Sequence, residues 1–481
     1  MCSSDLVANA ISGSGTLTVN GTGAVTLSGN NSYSGATTVS SGLVSLAHAN
    51  ALGGVGAGTT VAAGASLELQ GGIAVGAEAL AISGTGNAAN GALRNYFGAN
   101  SFGGTVTLGG ATTVQSDAGT LTLGNATAIA AGTSDVTFTG AGNVTVSGAI
   151  TGTTAGLIKT GSGTLTLGGN SSFQGSVAVN AGTVSVSGAN GLGANGGVTN
   201  VATGASLELQ GNVNVPSESL NVIGTGFGGA GALRNLSGNN TFGGAIALTG
   251  DTTFQSDAGT MTLGGALSAG SRALTVTGNG NVTMGGVMSG FSATLTKTGS
   301  GTLTLTANNT YQGVTTVTNG TLAIGGTDVI SDFALVNVNG GSLNVGAYSE
   351  TVYGLTLASG TVAGTTGSLS SLTDFDLRSG TVSGKLAGAS GLAKTTSGTV
   401  VLSGANTFSG PVAVSAGVLA FATGANLGDA SGTNVVTVGG GTLRYTGAAA
   451  ASASQAVAVG ATGGTLDRKS TRLNSSHTVI S

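Results

Sequence analysis

The chain has 481 residues, of which 93 are Gly, two are Pro and none is Trp, and only 6% are Asp, Glu, Lys or Arg, against about 25% in ordinary globular domains. A hydrophobic content of 40% with a net charge of −4 excludes intrinsic disorder, and the scattered basic residues exclude a nucleic-acid-binding surface. One Cys and two His exclude an intrachain disulfide and a cysteine-based zinc site, and we expect no metal, cofactor or catalytic residue.

The two ends differ in texture from the rest of the chain. Residues 1–6 read MCSSDL, without the basic region and apolar core of a secretion signal. Residues 467–481 read DRKSTRLNSSHTVIS and hold three of the twelve basic residues. Both segments resemble translated sequencing-adapter read-through, so we expect them to be foreign, with a native basic tail as the alternative for the second. Residues 7–466 are expected to form one continuous body.

Internal repeats dominate that body. The strings SLELQG, GALRN and QSDAGT begin at Ser66, Gly91 and Gln115 and recur 140 residues later. A shorter unit occurs four times around Tyr33, Phe173, Tyr311 and Phe408, and Phe102 and Phe242 lie midway in the long repeats.

Glycines accompany the aromatic residue of each short unit at fixed distances. One precedes it by ten residues and one follows it by nine; they are Gly23, Gly42, Gly163, Gly182, Gly301, Gly320, Gly398 and Gly417. Three units also have a lysine four residues before the first glycine, namely Lys159, Lys297 and Lys394.

Within the units, Leu or Val alternates with Thr or Ser over four to six residues, as in Thr164–Leu167. This period of two predicts short strands with aliphatic side chains inward and hydroxyls outward. Such strands bury their apolar faces only by stacking coil on coil, so we predict an all-β fold, a single-stranded parallel β-helix of roughly 20 turns of about 23 residues. The six aromatics are interpreted as internal plugs, with an exposed ligand-binding ladder as the alternative.

The segment from Lys297 to Ile324 resembles the passenger-associated, or autotransporter-associated, β-strand repeat of bacterial type V autotransporters, as do Lys159–Val186, Lys394–Phe421 and, without the lysine, Gly23–Leu46. The resemblance implies a right-handed β-helix on a Gram-negative cell surface, outer-membrane-anchored or secreted, whose repeats aid export and folding. It also implies a signal peptide and a C-terminal outer-membrane β-barrel as partner. The sequence contains neither, so we expect an interior fragment of a passenger.

Few charged residues suggest a site. Arg94 and Asp117 are 23 residues apart, as are Arg234 and Asp257, so each pair could stack as an ion pair between coils or remain independently solvated. Asp374 and Asp376 would share one strand face and are interpreted as solvated surface. Matches to Gly-x-Gly-x-x-Gly, as at Gly191, are expected by chance in so glycine-rich a chain.

We therefore expect a non-enzymatic surface stalk that adheres to host surfaces or matrix or self-associates through its hydroxyl ladders. A β-helix enzyme, such as a polysaccharide lyase or protease passenger, and a silk-like or amyloid-like material are the alternatives.

Overall fold

The computed structural model describes residues 5–194, 197–448, 455–468 and 478–480. The chain is all-β: 49% of it lies in strands, no α-helix occurs among the described residues, and the strands form a parallel β-solenoid of about 22 turns. The predicted all-β parallel β-helix is confirmed.

The chain divides into two compact units, residues 1–247 and 248–481. The strands of the first unit are Asp5–Val7, Leu17–Val19, Ala24–Leu27, Thr37–Val39, Leu43–Leu46, Thr59–Val61, Ser66–Gln70, Ala74–Val75, Leu80–Gly84, Leu93–Phe97, Ala99–Phe102, Val106–Ser116, Thr120–Leu123, Thr127–Gly132, Val136–Thr139, Asn143–Val146, Ala149–Gly152, Leu157–Lys159, Thr164–Leu167, Val177–Val179, Gly182–Val186, Val198–Val201, Ala205–Gln210, Asn214–Val215, Ser219–Gly224, Leu233–Ser237 and Asn239–Phe242.

The strand Ile246–Ser256 includes the division between the units. The remaining strands are Thr260–Leu263, Leu267–Ser268, Ala273–Thr277, Asn281–Met284, Met288–Ser289, Thr294–Lys297, Thr302–Leu305, Thr315–Val317, Thr321–Ile324, Leu335–Asn344, Glu350–Val352, Gly354–Ala363, Ser368–Ser371, Phe375–Leu377, Gly380–Val382, Lys385–Ala387, Leu392–Lys394, Thr399–Leu402, Val412–Val414, Val418–Phe421, Val436–Val438, Thr442–Tyr445, Val457–Val459, Gly464–Arg468 and Thr478–Ile480. Short 3-10 turns occupy Asn87–Ala89, Phe227–Gly229 and Gly424–Leu427.

Strand pairing in the first unit places like residues above one another. Register pairs connect Leu121, Val144, Leu165, Val184, Leu207 and Leu233 in one continuous ladder. All six are buried, because alternate side chains of a strand point to the same face. Each coil thus supplies one layer of a core that only its neighbours complete.

The second unit contains a longer ladder of the same kind. It joins Met261, Val282, Leu303, Leu322, Leu343, Val362, Val382, Leu402 and Phe421. Each buried aliphatic side chain of this size contributes roughly 1.5–3 kcal/mol by leaving water. The ladder is therefore the main stabilising element of its face.

The turns of the solenoid differ in length. Thr37 pairs with Thr59, Thr59 pairs with Leu80, and Leu80 pairs with Val106. The 69-residue step from Tyr33 to Phe102 therefore spans three turns, as expected, but these turns have 22, 21 and 26 residues rather than a uniform 23. Loops outside the strands absorb the difference, so the register of the core strands is kept.

Part of each predicted foreign end is described. Asp5–Val7 pairs in parallel with Val25–Leu27, and the Asp467 carboxylate lies 2.8 Å from the Arg444 guanidinium. Residues 1–4, 469–477 and 481 lie outside the described residues, including Cys2 and His477. The foreign origin of the ends and the continuity of 7–466 stay predictions.

Candidate functional site

The six repeat aromatics all lie inside the solenoid. Tyr33, Phe102, Phe173, Phe242, Tyr311 and Phe408 are at most 2% exposed. The Tyr33 hydroxyl lies 2.6 Å from the Thr37 hydroxyl, and Tyr311 makes the same contact with Thr315 at 2.7 Å. Where the aromatic is Phe173 or Phe408, the residue four positions later is Val. The polar group on the ring thus occurs together with its partner.

An asparagine two residues before the aromatic joins three successive coils, a role that sequence reasoning missed. Asn309 accepts a hydrogen bond from the Met288 amide at 2.7 Å and donates one to the Val329 carbonyl at 2.6 Å. Asn31 and Asn406 make equivalent bonds. The available signal was Asn-x-aromatic, present around five of the six aromatics.

The repeat glycines lie at turns where adjacent coils touch. Gly42, Gly182, Gly320 and Gly417 have φ between 64° and 76°, and a Cβ on Gly182 would lie 2.5 Å from the Gly161 carbonyl oxygen. At Gly163 and Gly301 an added Cβ would clash with the backbone of the preceding coil, and at Gly398 it would approach the Arg378 carbonyl oxygen. The Gly23 carbonyl accepts the Leu43 amide of the next coil.

The three repeat lysines are buried, with 0–3% exposure. The Lys159 ammonium donates to the carbonyls of Thr160 and Gly161 at 2.7 and 2.8 Å, and Lys297 and Lys394 cap their own turns in the same way. Burial lowers the pKa of Lys159 and of Lys297 to about 8 and also lowers that of Lys394. Val19 stands at this position in the first unit.

The predicted ion pair between Arg94 and Asp117 is confirmed, with Arg94 Nε 2.8 Å from the carboxylate. Glu68, which sequence reasoning missed, also lies 2.8 Å from Arg94. Arg234 likewise contacts Glu208 at 2.6 Å, and its pairing with Asp257 stays a prediction. The recurrence of Glu in both SLELQG strings was the missed signal.

Asp374 and Asp376 serve local structure. Asp374 accepts the Gly391 amide at 2.8 Å, and Asp376 pairs with Arg378 at 2.8 Å. Across the described ranges, no group of three or more His, Cys, Asp and Glu side chains could hold a metal ion. No helix in the described part of the chain is long and apolar enough to cross a membrane.

A surface groove on the second unit is the most distinctive cavity. It has a volume of about 470 Å³ and is lined by Phe291, Ser292, Gln312, Gly313, Val314, Phe333, Leu335 and Tyr353. Phe291 is 82% exposed and Phe333 65%, unlike the six buried aromatics. The strands that follow Phe291 and Phe333 are two coils apart, which separates them by about 10 Å.

A polar cavity of about 310 Å³ adjoins this groove and shares Gln312 and Phe333 with it. Its lining includes Thr310, Asp328, Ser331 and Asp332. We call the two cavities together the aromatic-acidic groove. Exposed rings, an amide and two carboxylates thus occupy one continuous surface.

Glu350, on the next coil, holds the loop that supplies the polar side. Its two carboxylate oxygens accept the amides of Val329 and Ile330, each at 3.0 Å. Burial raises the pKa of Glu350 to about 8 against these two bonds, with smaller contributions from the charges of Asp328 and Asp332. Val329 and Ile330 are buried, so the loop is anchored inward while Asp328, Asp332 and Phe333 face solvent.

A family model described as the passenger-associated-transport-repeat matches residues 17–46, 157–186, 295–324 and 392–421. The chain carries four passenger-associated-transport-repeats. The resemblance is thereby confirmed, and the matches are consistent with an autotransporter passenger domain. Neither the curated proteins nor the solved structures that were compared gave a match.

The third transport repeat differs from the others where the groove forms. Twenty residues after the aromatic, the other repeats have Gly53, Gly193 and Gly428, all with positive φ. The third has Ser331, followed by Asp332 and Phe333. The groove is therefore a local departure from a shared scaffold.

Proposed function

We propose that the chain is a non-enzymatic passenger segment of an autotransporter, displayed on a bacterial surface as a stalk that supports adhesion or self-association. The observation that carries the proposal is the set of four transport repeats within stacked parallel coils. An outer-membrane translocator is the partner that this class of passenger implies. The repeats would assist export and folding, because each coil completes the core of the one before it.

The use of the polar side chains supports a structural role. The buried lysines cap turns, and the arginines of the described ion pairs hold neighbouring carboxylates. His48, the histidine within the described residues, has its Nδ1 engaged by the Asn50 amide. A lyase or protease passenger would require such groups to converge on a cleft.

Outward hydroxyls support the adhesive part of the proposal. Thr122, Thr145 and Thr166 pair in register beside the buried ladder, and all three are half-buried. Rows of this kind offer many weak hydrogen bonds in parallel, which favours multivalent contact. The low charge of the chain leaves little repulsion to oppose it.

The test compares bacteria that display the full-length gene product with bacteria carrying an in-frame deletion of residues 7–466. We expect faster clumping, or attachment to a coated surface, when the segment is present. Antibody labelling of intact cells controls for equal surface display of the two proteins. Equal clumping and attachment at equal display would contradict the adhesive role.

Size-exclusion chromatography of the purified chain separates the stalk from a silk-like or amyloid-like material. We expect a soluble species of defined size, because the apolar ladders are satisfied within the chain. Spontaneous growth into fibres would favour the material instead.

A further inference from the structure

The aromatic-acidic groove has features that neither the repeats nor a stalk requires. Phe291, Phe333, Leu335 and Tyr353 are between 42% and 82% exposed. Among the described residues, no ring-to-ring contact and no cation–π contact involves Phe291, Phe333 or Tyr353. Adjacent exposed apolar side chains around a cavity mark a binding surface, and the volume of about 470 Å³ is in the range of small-molecule sites, roughly 300–1,000 Å³.

The charge around the groove indicates the chemistry of its ligand. Asp328 and Asp332 line the polar side, and the lining of neither cavity includes Lys or Arg. No ion pair of the described residues involves these two carboxylates, whereas Arg94, Arg234, Arg378 and Arg444 each pair with an acid. An anion would be repelled here, and a cation would be attracted.

We propose that the aromatic-acidic groove binds an organic cation whose charge is carried on an apolar body, such as a quaternary ammonium group. The faces of Phe and Tyr rings attract cations through their quadrupole, and the two carboxylates add direct Coulomb attraction. A neutral ligand would use the rings without the charges. A second copy of the chain would bring the same two carboxylates against a like-charged surface.

Glu350 is a positioning residue for this site. Because it accepts the amides of Val329 and Ile330, it fixes the segment that leads into Asp332 and Phe333. Asp328 has a φ of 51°, a conformation that Asn tolerates well. Asn can therefore replace Asp328 and remove its charge without straining the backbone.

The experiment uses the purified full-length chain, and its lack of Trp makes Phe333→Trp a unique fluorescent reporter. The probe is choline, and its matched control is 3,3-dimethylbutan-1-ol, which has the same shape without the charge. We expect saturable fluorescence change with choline and at least tenfold weaker binding of the alcohol. Saturation-transfer NMR of choline with the unsubstituted chain checks that the reporter does not create the site.

Variants then test the assignment of the groove. We expect the double variant Asp328→Asn/Asp332→Asn to bind choline at least tenfold more weakly, and Phe291→Ala to weaken it as well. Asp135→Asn, which removes an exposed charge in the first unit, should bind as the parent does. Circular dichroism confirms that each variant is folded.

Several outcomes would overturn the proposal. Equal binding of the alcohol would make the site merely apolar, and tighter binding of cellobiose than of choline would make it a sugar site. Concentration-dependent dimerisation abolished by Phe291→Ser would assign the groove to a second copy. The inference does not rest on the proposed surface function, because every measurement is made on the isolated protein.

Discussion

At the residue scale, the repeat aromatics show how a buried polar group is tolerated. Tyr311 is fully buried, and its hydroxyl has the Thr315 hydroxyl as partner. Phe408 occupies the equivalent position with Val412. A buried hydroxyl without a partner costs roughly 1–3 kcal/mol, whereas replacing both partners by apolar groups is nearly neutral.

This contrast predicts a non-additive pair of substitutions. Tyr311→Phe should lower the free energy of local opening by about 1–3 kcal/mol, because it leaves the Thr315 hydroxyl unpaired. The double variant Tyr311→Phe/Thr315→Val should recover most of the loss. Hydrogen exchange of the amides of Thr315–Val317 measures both effects, and equal stability of the single and double variants would refute the pairing argument.

At the element scale, a strand is stable only between its neighbours. Leu303 pairs with Val282 on one side and Leu322 on the other, and all three are buried. In such a solenoid the stability of a coil is set by its own strands and its two nearest interfaces. Damage to one coil should therefore remain local.

Leu303→Ala is expected to cost about 2–5 kcal/mol, because it leaves a cavity in the ladder. Hydrogen exchange should accelerate in strands Asn281–Met284, Thr302–Leu305 and Thr321–Ile324, and much less in Val418–Phe421. Thr304→Ala, on the half-buried outer side of the same strand, is the control and should change stability by about 0.5 kcal/mol or less. Uniform acceleration throughout residues 261–421 would contradict local stacking.

At the scale of the whole molecule, buried ionisable groups act in opposite pH ranges. The pKa of Glu350 is raised from 4.5 to about 8 by burial, and burial also raises the pKa of Glu78 and of Glu218. The pKa of Lys159 and of Lys297 is lowered from 10.5 to about 8. The native state binds extra protons below pH 8 and fewer protons above it than the unfolded chain does.

Stability should therefore fall as the pH rises from about 5 to 8 and rise again from about 8 to 10, with a minimum near pH 8. Each group contributes at most about 1.4 kcal/mol per pH unit. Above about pH 10 the raised pKa of Tyr311 works against stability, because the unfolded tyrosine ionises first. Denaturant midpoints measured at half-unit intervals of pH check the profile.

Two variants separate the arms of that profile. Glu350→Gln should flatten the acidic side, and Lys297→Met the alkaline side. An apolar side chain is tolerated at the lysine position, because Val19 occupies it in the first transport repeat. A profile unchanged by either variant would mean that other groups control the pH dependence.

Much of the fold is legible in the sequence because each coil repeats the same local chemistry. The alternation in Thr164–Leu167 specifies a strand and its inward face, and the glycines and aromatics at constant spacing specify the turn between strands. The transport repeats, the burial of Tyr33 and its relatives, and the stacking of Arg94 on Asp117 all follow from that periodicity.

Other features depended on the tertiary structure, because they arise between coils of unequal length. The third member of the Arg94 cluster, Glu68, lies 26 residues before Arg94 while Asp117 lies 23 after it, so no single period predicts both contacts. Phe291, Phe333 and Asp332 belong to loops whose lengths vary, and only the stacking of the coils brings them to one groove. Local periodicity thus determined the strands and the core, whereas the loops that escape the period decided where a ligand could bind.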